Sequence, residues 1–583
     1  MIIVLYKSVL NSKTFDILLT SSYVLAIIVL LAMVGFGFPA DYKIYVNCFF
    51  IGLLLIGMLK TILKYLEPGQ VIISRVLVFD ILSLLFICYC IYRQLADYDF
   101  YFVSRSLQLA VILKLIREIA TPNFSFKRSF ITPPQLFIIS FIGLVVGGAL
   151  LLILPKASNL PLSFLDALFT STSAVCVTGL TVVDTHAQFT GFGHFIIMVL
   201  IQMGGLGILT FAGYIAYFFK GNSSYENQIA LGSISDNDVL SEVFVFVKRI
   251  IYITFCIEGI GAVCIYLSME SVSMDFLDKV FFSVFHSISA FCNAGFSTLP
   301  GGGMNEGFVY NYNFQIVLIF LIFLGGIGFP ILINLLRYSQ YLFRKIISRL
   351  VNKENIRRNW VFTLSSKINL VTSLTILGVA TIVLFFEEYY RTLEPHHGIG
   401  KFVSAVFLAI TPRTAGFNTI DFSQLHFSSV LLVILLMWIG ASPASTGGGI
   451  KTSTFAIGVL NFINIARGKS KIEIFKRELN PINVQKAFAT MTLSFLVIGL
   501  GIFLITKFDS HLSLTDVAFE AFSAYSTVGL SLNVTPFLSD HSKMVIIIIM
   551  FIGRVSMITI LMAFFKRETG RSGYKYPSDD ILI

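Results

Sequence analysis

The stretch Phe169–Thr181, "FTSTSAVCVTGLT", returns three more times along the chain: "FHSISAFCNAGFS" from Phe285, "VFLAITPRTAGFN" from Val406 and "FEAFSAYSTVGLS" from Phe519. Each copy carries a glycine ten residues after its first position, Gly179, Gly295, Gly416 and Gly529, at intervals of 116, 121 and 113 residues. A Leu or Phe follows each glycine, then a small polar residue: Thr181, Ser297, Asn418 and Ser531. Similarity at a near-constant period marks a repeat architecture, here four tandem units.

Outside these stretches the chain is strongly apolar. Of its 583 residues 56% are hydrophobic and 13% charged, with a mean hydropathy of +0.84, the composition of a polytopic membrane protein. Apolar runs long enough to cross ~30 Å of hydrocarbon lie near 15–37, 44–64, 76–93, 101–119, 135–154, 192–219, 246–267, 312–336, 366–386, 427–466, 487–507 and 543–565, twelve expected spans.

Within each unit the expected order is a span from the cytoplasm, a segment of about ten to fifteen residues, the glycine strand and a span returning. So short a segment cannot cross the bilayer. It dips in and comes back, and irregular backbone at that depth needs burial in protein or contact with water. Asp166, Asp278 and Asp516 stand near the start of this segment in three units, where an acid suits a helix N-terminus. One such glycine reads as a tight turn. Four in register read as an ion filter, because rings of backbone carbonyls can replace a cation's hydration shell and glycine permits the backbone angles required.

The net charge of +10 forms no stripe or arm, which excludes a nucleic-acid partner. Eight Lys or Arg against one acid between Arg337 and Lys367 put that connection in the cytoplasm, and alternation from there puts both termini inside. Lys7 and Lys13 precede a first span with the look of an uncleaved signal anchor. The cysteines, Cys48, Cys88, Cys90, Cys176, Cys256, Cys264 and Cys292, show no C-x-x-C pair and read as small apolar fillers. No two histidines have H-E-x-x-H spacing, and they read as ordinary interfacial residues.

Two spans flanking a re-entrant helix and a glycine strand, four times over, with "TSTSAVCVTGL", "ISAFCNAGF", "TPRTAGFNT" and "SAYSTVGLS", resemble the pore subunits of the Trk/Ktr/HKT potassium transporters over roughly residues 131–566. The resemblance implies an all-α membrane protein of four helix, pore-loop, helix repeats around a central pore that takes up K⁺, not an enzyme. It implies a homodimer, a cytosolic nucleotide-binding regulatory subunit, K⁺ in the filter, Na⁺ as a coupling or activating ion, and no organic cofactor in this chain. Position by position, the filter would be Val177, Thr178 and Gly179; Asn293, Ala294 and Gly295; Thr414, Ala415 and Gly416; and Thr527, Val528 and Gly529. Glycine in all four loops, Gly179 included, goes with potassium permeation in that family.

The units are expected at 131–220, 221–345, 346–470 and 471–566, with N-terminal helices in 1–130 and a cytoplasmic tail in 567–583. About four extra spans precede the first unit, a departure from the family pattern. Arg93, Arg105, Lys114 and Arg117 cluster there. A voltage-sensor reading is set aside in favour of cytoplasmic or interfacial charge, since they do not recur every third residue on one span.

The third unit's returning span, 427–466, would reach ~60 Å as one helix, about twice the hydrocarbon thickness. It breaks at "SPASTGGGIKTS", Ser442–Ser453, where Pro443 and Gly447, Gly448 and Gly449 interrupt the helix. A Walker loop fails there, because Ile450 and Ser445 occupy its glycine positions. The stretch reads as an unwound gate facing the cavity below the filter, with Lys451 beside the pore repelling cations. The resemblance supplies such an intramembrane loop, and Arg554, matching a basic residue of the family's last span, is expected to hydrogen-bond it. Glu258, equally deep, is paired in expectation with Arg413. Tyr525 and Phe291 are expected to brace the strands by packing.

Two other readings compete. A membrane-embedded enzyme would need convergent catalytic groups, whereas Asp166, Glu258, His286 and Glu520 are scattered over different units. A sodium-coupled carrier of another solute would show twofold inverted symmetry rather than four glycine loops. A less selective Na⁺/K⁺ transporter stays open. On the cytoplasmic face Lys353, Arg357, Arg358, Lys469, Lys471, Lys476 and Arg477 could meet an acidic regulator or anionic lipid.

Overall fold

The computed structural model describes residues 13–37, 40–65, 74–96, 105–119, 133–207, 240–269, 275–303, 306–350, 362–469, 471–555, 560–561 and 563. Lys7, Lys353, Arg357, Arg358 and the tail 567–583 lie outside them. Among the described residues the regular structure is helical apart from a hairpin of two-residue strands pairing Glu473–Ile474 with Arg477–Glu478. Apolar side chains such as Leu18, Tyr45, Ile260, Phe320, Phe386 and Phe503 are exposed on the helix surfaces, the outward face of a protein whose solvent is lipid.

The expected spans do not all take the form of one long apolar helix. Among the described residues, Tyr42–Ile62, Val76–Arg93, Phe246–Ser268, Leu364–Glu387 and Pro481–Phe508 are long and apolar enough to cross a bilayer. A sixth span is possible only if the bent pair Tyr312–Ile327 and Phe329–Ile346 counts as one. Other expected spans hold the helices Arg105–Ile119, Pro133–Leu152, Gly191–Leu206 and Asp540–Val555.

Two breaks matter for the site. Residues 427–466 divide into Phe427–Trp438 and Thr452–Ala466, with thirteen non-helical residues between, in keeping with the proline and glycine run. Residues 312–336 also fail to form one helix: the chain turns through 107° at Gly328, whose φ of +93° suits glycine. Pro330 then sits at the second position of Phe329–Leu350, where its missing N–H costs no bond.

Four short helices share one design. Phe164–Val175 and Leu514–Tyr525 start at Ser163 and Ser513, whose side chains accept the N–H of Asp166 and Asp516. Phe276–Phe291 has Asp278 in its first turn. The third, Ile399–Ile410, lacks a first-turn acid and starts from Gly398 at φ +54°. Lys543 reaches from Asp540–Val555 to Asp166 at 2.7 Å, tying the last helix to the first of these short helices.

Candidate functional site

Each short helix ends in a residue with left-handed backbone, then one ordinary residue, then a left-handed glycine. The first members are Val177, Asn293, Thr414 and Thr527, with φ of 59°, 59°, 67° and 50°; the glycines are Gly179, Gly295, Gly416 and Gly529, with φ of 91°, 69°, 73° and 90°. A left-handed conformation costs a non-glycine residue about 1–2 kcal/mol. Hydrogen bonds from the strands back to the helix ends oppose that cost. In the first strand, Val177 N donates to Ala174 O at 3.2 Å, Thr178 N to Ser173 O at 2.7 Å and Gly179 N to Ser173 Oγ at 3.0 Å. The fourth repeats this, with Thr527 N on Ala524 O, Val528 N on Ser523 O and Gly529 N on Ser523 Oγ at 3.2 Å.

The second and third strands vary the theme. Ala294 N donates to Ser289 O at 2.7 Å, while Ser289 Oγ donates forward to Phe296 O. Ala415 N and Gly416 N both donate to Thr411 O, and Thr411 Oγ1 donates to Phe417 O. These N–H groups thus point toward their own helices, and the middle carbonyls of Thr178, Ala294, Ala415 and Val528 are left out of every hydrogen bond found among the described residues.

Those carbonyls meet the glycines in cyclic order. A Cβ on Gly179 would strike Ala294 O, one on Gly295 would lie 2.9 Å from Ala415 O, one on Gly416 would strike Val528 O, and one on Gly529 would strike Thr178 O. All twelve strand residues expected from the sequence are therefore brought together, first against second, second against third, third against fourth and fourth against first. The hydroxyls of Thr178 and Thr527 are buried there without a protein partner.

Residues 439–451 lie against the inner side of this ring. Gly447 is in contact with Thr414 Oγ1, Gly448 with Thr527 Oγ1 and Gly449 with Ser526, with no room for a side chain at the first two. Thr446 Oγ1 donates to Phe291 O and Gly325 O, both at 3.3 Å, Ser442 N to Gly326 O and Phe329 N to Ala444 O. Arg554 donates to Thr446 O and, at 2.6 Å, to Gly204 O, so the loop hydrogen bond expected of it is present. At the loop's far end Ser442 and Thr452 share a hydrogen bond, and Thr452 donates to Asn369 Oδ1 at 2.6 Å.

Lys451 Nζ donates to Gly447 O at 2.7 Å and so closes the loop on itself. One expectation needs correction. Glu258 and Arg413 do not pair. Glu258 receives Gln202 Nε2 at 3.1 Å and faces Cys292 Sγ, while Arg413 donates to Ser373 O and Oγ at 3.2 Å and to Gly440 O. Each has other partners, and Arg413 Nε is buried without one among the described residues.

The sequence reading passed over Ser173, Ser289, Thr411 and Ser523, the hydroxyl residues near the short-helix ends. It also passed over Gly204, Gly325 and Gly553, which press on the carbonyls of Val175, Phe291 and Tyr525. Their signal was present: a Ser or Thr five or six residues before each strand glycine, and a glycine deep in the returning helices. The seven cysteines are all free thiols.

A helical membrane protein whose four short helices feed irregular strands into one backbone ring is a transport protein, not an enzyme. The sequence profile of the cation transport protein family TrkH matches residues 110–573, and the chain belongs to that family. It is 37% identical to Ktr system potassium uptake protein B of Bacillus subtilis, over 77% of this chain and 96% of that one. It is 33% identical to the potassium/sodium uptake protein NtpJ of Enterococcus hirae, over 78% of this chain and 98% of that one. The crystal structure of the potassium transporter TrkH from Vibrio parahaemolyticus superposes with a TM-score of 0.59 at 17% identity, covering 84% of this chain and 97% of that one.

Proposed function

We propose that the chain is the pore of a potassium uptake system, with four tandem units at 131–220, 221–345, 346–470 and 471–566 arranged around one conduction axis. The observation that carries the reading is the closed ring: each strand glycine abuts the middle carbonyl of the next strand while the N–H groups are occupied behind. Oxygens left over by such an arrangement are what a dehydrated K⁺ requires, and the unpartnered hydroxyls of Thr178 and Thr527 add two more. The potassium in the names of the related uptake proteins agrees with this.

Residues 440–452 act as the gate, held closed by Arg554 on Thr446, and Gly447, Gly448, Gly449 and Lys451 shape it. Two copies and a cytosolic nucleotide-binding subunit form the working assembly, both termini are cytoplasmic, and basic residues such as Lys469 and Lys471 face that subunit or anionic lipid. The name of the Enterococcus hirae relative favours a second reading, a transporter that also takes Na⁺ as co-substrate or activator.

Radiotracer competition in liposomes tests the first reading. K⁺ and Rb⁺ should displace one another, and unlabelled Na⁺ in excess should compete weakly. Gly179→Ser should narrow that difference. Equal competition by Na⁺ in the wild-type protein would favour the second reading, and no alkali-ion flux from folded protein would defeat both.

A further inference from the structure

Residues 1–109 lie outside the family match, which begins at Ala110, and the structure packs a helical bundle from them together with the first residues of the match. Lys13–Ala32, Ala40–Tyr65, Ser74–Ala96 and Arg105–Ile119 share a core that includes Tyr23, Phe50, Leu54, Ile87, Leu107 and Val111. The last of these helices packs against all three others. It also carries Lys114 and Arg117, three residues apart, with Arg105 nine residues before Lys114, so that two of its bases, though not all three, follow one another at a spacing of three.

Lys114 and Arg117 are 3% and 6% exposed. Arg117 grips Asp80 through two hydrogen bonds, at 2.7 and 2.8 Å, and the Tyr65 hydroxyl donates to the same carboxylate at 2.6 Å. Lys114 donates to Thr61 and lies 3.9 Å from Glu118, which also takes Lys60 at 2.8 Å. Exposed Tyr42, Tyr45, Tyr89 and Tyr92 stand at the opposite end of the bundle, as interfacial anchors do. Fifteen residues separate Tyr45 from Lys60 and twelve separate Asp80 from Tyr92, about 22 and 18 Å along a helix. Lys60 is thus in the last turn of the apolar span Tyr42–Ile62, and Asp80 is four residues into Val76–Arg93, about 6 Å along the helix.

Buried ion pairs stabilise little over apolar packing, and charges at this depth mark a pathway, a relay or a response to the membrane field. No chain of titratable groups crosses the described bundle, since the cluster sits at one end of it. The spacing favours the third use. A shift of Arg105–Ile119 by three residues, about 4.5 Å, would carry Lys114 to the place Arg117 holds against Asp80, so the carboxylate exchanges one basic partner for the next.

We propose that the N-terminal bundle is a membrane-potential sensor whose charged element is Arg105–Ile119, with Asp80 as the fixed counter-charge. Residues 120–132 join this helix to Pro133–Leu152, where Gln135 Nε2 donates to Ala563 O at 2.9 Å, nine residues beyond Arg554. At the outer end Lys156 N donates to Gly35 O at 3.2 Å.

The inference does not depend on which ion the pore passes, and its test uses none. Full-length protein in planar bilayers, with N-methylglucamine replacing alkali cations on both sides, should give a transient displacement current that saturates with voltage. Each elementary charge crossing the whole field changes the two-state ratio about 50-fold per 100 mV. Lys114→Gln and Arg117→Gln should reduce the charge moved, Asp80→Asn should shift the midpoint, and Arg117→Lys should preserve the current. No saturating displacement in folded wild-type protein overturns the proposal without any variant. A wild-type current that Lys114→Gln and Arg117→Gln leave unchanged overturns it equally.

Discussion

Ser523 accepts the N–H of Gly529 through its side-chain hydroxyl, and Ser173 does the same for Gly179. Ser523→Ala leaves a buried donor unpaired, a loss of about 1–3 kcal/mol. The expected outcome is lower thermal stability in detergent together with weaker discrimination between Rb⁺ and Na⁺, read by competition. Glu258→Gln and Arg413→Gln should be additive in unfolding free energy to within about 0.5 kcal/mol, because the two side chains have separate partners. His396 makes a third residue-scale case. Burial, then Lys401 and His397, hold its imidazole below the ordinary value of 6.5, with Tyr312 and Ser404 as neighbours. Protonation is thus disfavoured in the folded state, so the stability it contributes is present above the unfolded value and lost as pH falls through the lowered one. An unfolding series below about pH 6.5 should show a slope that His396→Gln flattens. The strand glycines were legible as residues, since four copies in register leave one physical explanation. The partners of Arg413 were not, because Ser373 lies 40 positions away on another helix and no local pattern announces it.

The segment from Ile439 to Lys451 illustrates both sides at the level of elements. Its break could be read directly, because proline and three consecutive glycines cannot continue a helix through forty apolar residues. Where it would go could not, since its anchors at Phe291, Gly325, Gly326 and Arg554 come from two other units. Hydrogen bonds from a charged donor contribute about 1.5–3 kcal/mol each, so Arg554→Gln should weaken the closed loop and raise Rb⁺ flux at least tenfold in vesicles without a regulatory subunit. Deleting 445–449 should do the same, and unchanged flux in well-folded protein would count against the loop as a gate. The turn at Gly328 escaped notice because "GGIGFP" reads as ordinary membrane-span composition; the informative sign was a glycine two residues before Pro330. Gly328→Ala should destabilise the protein in thermal unfolding, for the residue is at φ +93° and a methyl there would strike Pro443 O.

Across the whole molecule, contact between the first and last units closes what the sequence presents as a line. Asp166 and Lys543, 377 positions apart, meet at 2.7 Å and join the start of the first short helix to the last long one. Their side chains are partly exposed, at 21% and 14%, so water screens the pair and its contribution is about 1 kcal/mol or less. Asp166→Asn should therefore lower the melting temperature by only a few degrees, and less in high salt. Fourfold similarity was visible in the sequence, but the direction of closure was not, because it depends on backbone contacts among loops more than a hundred residues apart.

That mutual leaning makes the aperture a reciprocal frame, like rafters each resting on its neighbour with no central post. No single quarter sets the width alone. A bulkier side chain at any one hinge must push its neighbour, which pushes the next, so the bore dilates as a whole and loses its grip on the smaller ion and the larger one together.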